Sequence, residues 1–182
     1  DTAAVFFQKA FGQRDVLRTS DAFLPMLEAM DGIRATSQQI VGNGFILRGQ
    51  SRAPVYVKGV EADKVSAISD IDGHLIAGSA RTTNSSIIIG ATLASDLGLR
   101  VGQVINLQSD RNVERALIIA GIFSVGVETL DSRTAFVSLA AARSLFDLDQ
   151  GVSRIEIKLD DLNAAESYAR RIAAMTGLKA TP

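Results

Sequence analysis

The residues that could do chemistry in this 182-residue chain are few, and the first is its only histidine, His74. His74 follows Asp70-Ile71-Asp72-Gly73, which has the beginning of a calcium-binding loop but lacks the third ligand before the glycine and the closing glutamate. We therefore interpret this run as a turn and His74 as a loop histidine. The alternative for His74 is a general base, which would need a nucleophile beside it.

Other motifs that indicate catalysis or nucleotide binding are incomplete or missing. Gly42-Asn43-Gly44 has no third glycine, and no Gly-Lys-Ser or Gly-Lys-Thr occurs, which disfavours a phosphate-binding loop. No serine lies in a Gly-x-Ser-x-Gly motif, and the chain has no cysteine to act as nucleophile, metal ligand or disulfide partner. We interpret Asp160-Asp161 as a helix cap and Arg170-Arg171 as part of a solvated helix face. The sequence therefore predicts a non-catalytic domain without metal or other cofactor.

The composition predicts a folded domain that does not bind nucleic acid. Nineteen basic and 20 acidic residues give a formal net charge of −1, whereas nucleic-acid binders carry a basic excess on one face. Hydrophobic residues make up 47% of the chain, which is too many for a disordered protein. The longest apolar run, at 116–123, is far shorter than the ~20 residues that span a bilayer.

The first third of the chain predicts a strand, a helix and a further extended segment. Residues 4–7 form the predicted strand, and Ser20 or Asp21 caps the helix. Because proline is tolerated only in a first turn, we expect the regular helix to start later than the cap suggests. Residues 34–47 are predicted to be extended, with glycines at bends or bulges.

The middle of the chain predicts a β-rich region. Strands are expected at 55–58 and 86–90, followed by a short helix and an antiparallel hairpin whose turn is 109–112. The second arm of this hairpin, with the apolar run 116–123, is expected to be wholly buried. The residues expected on one buried face of the first arm are Val101, Ile105 and Leu107.

The last third predicts strand, helix, strand and helix. A strand at 135–137 leads to a helix capped by Ser138, and residues 154–159 alternate between apolar and charged. Asp160 or Asp161 is expected to cap the final helix, which ends at Gly177. The predicted buried stripe of that helix comprises Leu162, Ala165, Ala169, Ile172 and Met175.

This order of elements predicts an α+β fold in two layers. We expect the two chain ends, residues 1–50 and 124–182, to form one split α+β subdomain. Residues 51–123 are then a β-rich subdomain inserted into it.

The order and spacing of several motifs resemble a known family. The run Ile87-Ile88-Ile89-Gly90-Ala91-Thr92-Leu93-Ala94, followed by Leu97-Gly98-Leu99-Arg100-Val101-Gly102, is similar to the extracytoplasmic core domain of MacB/FtsX-type ABC transporter permeases. The resemblance covers about residues 55–172. Within the group, the chain looks closest to the lipoprotein-releasing permeases LolC and LolE.

The resemblance implies a fold, a location and partners. The split subdomain would be porter-like and the insert sabre-like, in the periplasmic domain of a bacterial inner-membrane protein with flanking transmembrane helices. Its partners would be a cognate ABC ATPase subunit and a second permease subunit, and it would have no catalytic residue. The domain would couple cytoplasmic ATP hydrolysis to extraction or export of a lipidic or amphiphilic substrate such as lipoproteins, or dock a periplasmic partner. The alternative is a free-standing periplasmic adaptor or binding module of similar fold.

Candidate contacts with substrate or partner are apolar residues and the hairpin turn. The phenylalanines near the start of the chain, including Phe11, are either core residues or a hydrophobic contact surface. The hairpin turn is short and has no proline-bearing hook, which favours a LolE-like subunit, or another exporter of this architecture, over one that docks a chaperone. The candidate contact residues are Phe6, Phe7, Phe45, Asp110, Arg111 and Asn112.

Overall fold

The computed structural model describes residues 4–8, 20–61, 71–148 and 151–181. The strands are β1 (Ala4–Gln8), β2 (Ile33–Arg48), β3 (Ser51–Val60), β4 (Leu75–Gly78), β5 (Ser86–Gly90), β6 (Val104–Ser109), β7 (Glu114–Phe123), β8 (Thr134–Ser138), β9 (Arg154–Leu159) and β10 (Lys179–Thr181). The helices are α1 (Ser20–Glu28), α2 (Ile71–His74), α3 (Ala91–Asp96), α4 (Glu128–Asp131), α5 (Leu139–Leu145) and α6 (Ala165–Thr176). These elements confirm the predicted α+β class. None of the helices in the described part of the chain is long and apolar enough to cross a bilayer.

The chain divides into two compact units. The end unit comprises Asp1–Gln39 and Gln150–Pro182, and the middle unit comprises Ile40–Asp149. These bounds differ from the predicted subdomain bounds, because β8 hydrogen-bonds to β3 and β5, and α5 packs on β3. Residues 124–149 therefore belong with the middle of the chain. That the units correspond to porter-like and sabre-like subdomains stays a prediction.

The end unit contains an antiparallel sheet in the order β10-β1-β9-β2. Val5 of β1 lies opposite Ile157 of β9, so the start of the chain shares a sheet with a strand from its last third. On its other side β9 pairs with residues 33–39 of β2. The alternation predicted for β9 is present, since its three apolar side chains are buried between half-buried polar ones.

Helix α1 begins at Ser20 and contains Pro25, so the expectation of a later start was wrong. Proline lacks the N–H that would bond to the carbonyl four residues earlier. The helix nevertheless continues past the proline, as the hydrogen bond from the Ala29 N–H to the Pro25 carbonyl oxygen at 3.1 Å shows.

Helix α6 ends at the left-handed Gly177 as predicted, but it starts after a 3₁₀ turn and its last turn is not buried. The Asp161 carboxylate caps a 3₁₀ turn (Leu162–Ala164) that precedes the helix, accepting a backbone N–H at 2.9 Å. Ala169 and Ile172 are buried, but Met175 is 55% exposed and does not belong to the buried stripe. Met175 lies in the last turn before the left-handed Gly177, and the helix packs on β1 and β10.

The middle unit contains a mixed sheet in the order β2-β3-β8-β5-β7-β4, with β6 paired to both β2 and β7. Gly102 adopts φ +87° in the turn before β6, so the strand starts later than predicted. Val101 is therefore outside the strand and 40% exposed, whereas Ile105 and Leu107 are buried as expected. The first half of β7 alternates, and Ile118 is 46% exposed, so this arm is not wholly buried.

Helix α5 packs on β3 and β8 at very short range. A Cβ built on Gly59 of β3 would lie 2.1 Å from the Cβ of Ala142, and one on Gly42 of β2 would lie 2.2 Å from the Phe146 ring. Leu145 is fully buried in the same contact. Only glycine at these two strand positions allows the helix to approach this closely.

On the opposite side of β3, β8 and β5 the described residues form a second buried layer. There the Phe123 and Phe136 rings pack edge to face, with centroids 5.4 Å apart. The buried cluster around them comprises Val60, Ile71, Ala80, Ile88, Phe123 and Phe136.

We expect Gly59→Ala to destabilise the protein by about 1–3 kcal/mol, because the added methyl overpacks the contact with α5. Ala142→Gly in the same chain removes the atom that clashes. The double variant should then be clearly more stable than the sum of the two single changes, even though glycine costs about 1 kcal/mol inside a helix. Urea unfolding of the four proteins measures this coupling. Strictly additive effects would show that the two residues do not contact each other.

Candidate functional site

An exposed sheet face lies on β2, β6 and β7, opposite the buried side chains of these strands. In β6, Ile105 and Leu107 point to the buried side, whereas Val104 and Asn106 alternate with them and are exposed. Val104 lies directly opposite Ile118 of β7, and these side chains are 64% and 46% exposed. We call the following residues the open sheet face: Phe45, Leu47, Val104, Asn106, Ala116 and Ile118.

A chain of side-chain contacts crosses three strands at one edge of the open sheet face. The Arg52 guanidinium of β3 lies over the Phe45 ring of β2, 4.7 Å from its centroid. Arg52 Nη2 donates to Gln108 Oε1 of β6 at 2.7 Å, and Gln108 Nε2 donates to Asn112 Oδ1 at 3.3 Å. The ring and the guanidinium are thereby held in one arrangement on a solvent-exposed surface.

The hairpin turn beside this chain is built around a buried serine. Ser109 is 3% exposed, and its Oγ accepts the Arg111 N–H at 3.3 Å. Asn112 has φ +64°, a left-handed conformation that asparagine adopts more readily than most residues. The Asp110 N–H donates to the Asn43 carbonyl oxygen at 2.9 Å, which ties the turn to β2.

Gly44 allows β2 to lie close to β6. A Cβ at this position would be 2.7 Å from the Gln108 carbonyl oxygen. The register from Gly44 to Leu47 is regular, so this glycine serves a close approach rather than the predicted bend or bulge.

The structure brings four of the six predicted contact residues into one region: Phe45, Asp110, Arg111 and Asn112. Phe6 and Phe7 lie in β1 of the end unit, and Phe11 is outside the described residues. Sequence reasoning missed Arg52 and Gln108. The alternation of β6 was a usable signal for Gln108, whereas nothing local indicated that Arg52 would stack on Phe45.

His74 and the neighbouring Asp72 lie in the short helix α2. His74 is the last residue of α2, and its carbonyl oxygen accepts the Ser124 N–H at 2.9 Å. Asp70 lies outside the described residues, and Asp72 is exposed. Across the described ranges, no group of three or more histidine, aspartate or glutamate side chains could hold a metal ion.

The most buried carboxylate in the described part of the chain anchors a loop. Asp131 is 4% exposed and accepts hydrogen bonds from Ser124 Oγ at 2.7 Å, Val125 N–H at 2.9 Å and Gly126 N–H at 3.3 Å. These bonds fix the loop that follows β7.

The fold and sequence match a known family. The family described as "MacB-like periplasmic core domain" matches residues 1–175. The chain belongs to this family. It is the periplasmic domain of a MacB-like ABC transporter permease, as predicted from the sequence, and permeases of this family work with an ABC ATPase.

Three solved structures share the fold. The periplasmic region of MacB from Actinobacillus actinomycetemcomitans has a TM-score of 0.64 at 14% identity, over 97% of this chain and 86% of that one. The extracellular domain of the ABC-type transporter YknZ from Gram-positive bacteria has a TM-score of 0.64 at 13% identity, over 100% of both chains. A domain of a putative permease protein from Porphyromonas gingivalis has a TM-score of 0.54 at 15% identity, over 97% and 79%. Closeness to LolC and LolE stays a prediction.

We expect Phe45→Ala and Arg52→Gln to be coupled by about 0.5–1 kcal/mol, the range for an exposed cation–π contact. Each single change should be mild, because both side chains are exposed. A double-mutant cycle in urea unfolding measures the coupling. The matched control pairs Arg52→Gln with Ile118→Ala, for which we expect additivity. Additivity in the Phe45 cycle as well would mean that the stacked arrangement contributes nothing in solution.

Proposed function

We propose that this domain couples ATP hydrolysis by a cognate cytoplasmic ABC ATPase subunit to the extraction or export of a lipidic or amphiphilic substrate, lipoproteins among them. Membership of the MacB-like family supports the transport role. The observation that carries the substrate class is the stacking of Arg52 on Phe45 beside exposed Val104 and Ile118. An amphiphile has an apolar part and a polar part, and this surface offers a contact for each.

The apolar side chains of the open sheet face lie together beside an aromatic ring that is held in place. Single apolar side chains on a surface need no explanation, but several on one sheet face with a fixed aromatic ring provide apolar area that a ligand can cover. Covering such area is worth roughly 25 cal/mol per Å². A ring already held by a guanidinium loses less conformational freedom on binding than a mobile one.

In this proposal the domain itself performs no covalent step. The ATPase supplies the chemistry, and a second permease subunit completes the transporter, both acting through the membrane-spanning parts of the permease. Contacts with substrate or partner would involve Phe45 and the turn residues 110–112, with Phe6 and Phe7 as further candidates in the end unit. The short turn without proline supports a LolE-like subunit rather than a chaperone-docking one.

We expect a photo-crosslinking residue in place of Phe45 or Arg111 to capture lipoprotein or lipid in the intact, ATP-energised transporter. Ile76 on β4 is the matched control site, because it is apolar, 63% exposed and outside the open sheet face. The adducts are identified by mass spectrometry with and without ATP.

Equal capture at Phe45 and Ile76 would contradict the proposed contact surface. Capture of a soluble periplasmic protein alone, independent of ATP, would instead favour the adaptor function.

A further inference from the structure

An open groove of about 530 Å³ adjoins the open sheet face within the middle unit. Its volume is within the range of roughly 300–1,000 Å³ that is usual for small-molecule sites. Leu47, Val104 and Asn106 belong both to this groove and to the open sheet face. The residues that line it include Leu47, Arg48, Leu99, Gln103, Val104 and Asn106.

The polar groups of the groove are rich in hydrogen-bond donors. Arg48 Nη1 donates to the Leu97 carbonyl oxygen at the end of α3, which orients the guanidinium. No carboxylate in the described ranges lies within salt-bridge distance of Arg48. Gln103 Oε1 accepts the Arg100 N–H at 3.0 Å, so the donor end of this amide, its NH₂ group, is left for a ligand.

The backbone adds to this donor set at Val104. β2 pairs with β6 as far as Leu47 opposite Asn106, and then turns at Gly49, which has φ +58°. In an antiparallel pair, alternate residues point their N–H and C=O groups to the same neighbour. The Asp110 N–H donates to Asn43 of β2. Val104 comes six residues earlier, an even number, so its N–H points to the same side, beyond the last residue of β2 that pairs with β6.

We propose that this groove binds the anionic head of a single-chain amphiphile, with the alkyl chain lying over Leu47 and Val104 toward Ile118. A guanidinium that has no carboxylate partner among the described residues, together with an amide NH₂ and a backbone N–H, is complementary to an anionic headgroup. The apolar walls then accommodate the chain. This inference deepens the proposed function, because it assigns a charge sign to the amphiphile and a place for its head.

The test uses the 182-residue chain and laurate below its micelle concentration, followed by amide and arginine side-chain NMR shifts. We expect saturable shifts at Leu47, Val104, Asn106 and the Arg48 side chain. Arg48→Gln should weaken laurate binding about tenfold, since a charge-assisted hydrogen bond is worth at least about 1.5 kcal/mol. Arg48→Lys should restore part of the affinity, which separates loss of charge from local disruption.

The control variants lie on exposed positions outside the groove. Arg133→Gln is the control for charge. A second groove variant, Val104→Asn, removes an apolar contact for the alkyl chain, and its control is Val127→Asn, because Val127 is 47% exposed. Only the groove variants should weaken binding. Decyl maltoside and dodecyltrimethylammonium, which have apolar chains without an anionic head, should bind at least several-fold more weakly than laurate.

Three results would overturn the proposal: no saturable shifts with laurate, unchanged affinity in Arg48→Gln, or equal binding of the cationic amphiphile. The outcome is separable from that of the crosslinking experiment. Laurate binding in the groove without capture of lipid at Phe45 would contradict only the proposed substrate contact at Phe45. Capture of lipid without laurate binding would contradict only the proposed site in the groove.

Discussion

The closed ring of strands in the middle unit decides which side chains remain for binding, because β6 pairs with β2 on one side and with β7 on the other and so joins the two ends of the order β2-β3-β8-β5-β7. Helix α5 packs on β3 and β8 of this ring, so near that only glycine fits at positions 42 and 59, where a Cβ would collide with Phe146 and Ala142. A strand has only two faces, so covering one of them assigns every alternate residue to the core. The other residues are then exposed wherever no second layer covers them. The open sheet face lies on the outside of this ring, where the buried cluster that the described residues form around Phe123 and Phe136 does not extend.

The polar and aromatic side chains at one edge of the open sheet face hold one another in place. The Phe45 ring is stacked by Arg52, which is in turn hydrogen-bonded to Gln108, and the turn behind them is fixed by Ser109. Next to this arrangement the sheet ends in a groove whose guanidinium has only a carbonyl as its described partner. Apolar area and unneutralised positive charge therefore lie side by side in one unit. A surface of this kind suits a ligand that combines an alkyl chain with a negative head.

Local sequence patterns were sufficient for much of the fold but not for the site. The alternation of β9, the Ser138 cap and the turn at 109–112 are encoded within a few residues, and each is present as predicted. The bounds of the middle unit depend on β8 pairing with β3, which are far apart in sequence, and no local pattern reports such pairing. The same reason explains why Arg52 was missed, since its partners Phe45 and Gln108 come from two other strands. Val101 was misplaced because Gly102 delays the start of β6, which a hydrophobic pattern alone does not reveal.

The most direct test of which strand face is exposed, and so free to bind, is thiol labelling, which the chain permits because it has no cysteine. Single substitutions Val104→Cys, Ile105→Cys, Asn106→Cys and Leu107→Cys place one thiol at successive positions of β6. Under native conditions we expect maleimide to label positions 104 and 106 rapidly, whereas 105 and 107 stay protected until the protein is unfolded in urea. Equal labelling of all four positions in the folded protein, or protection of 104 and 106 instead, would contradict the assignment of the open sheet face.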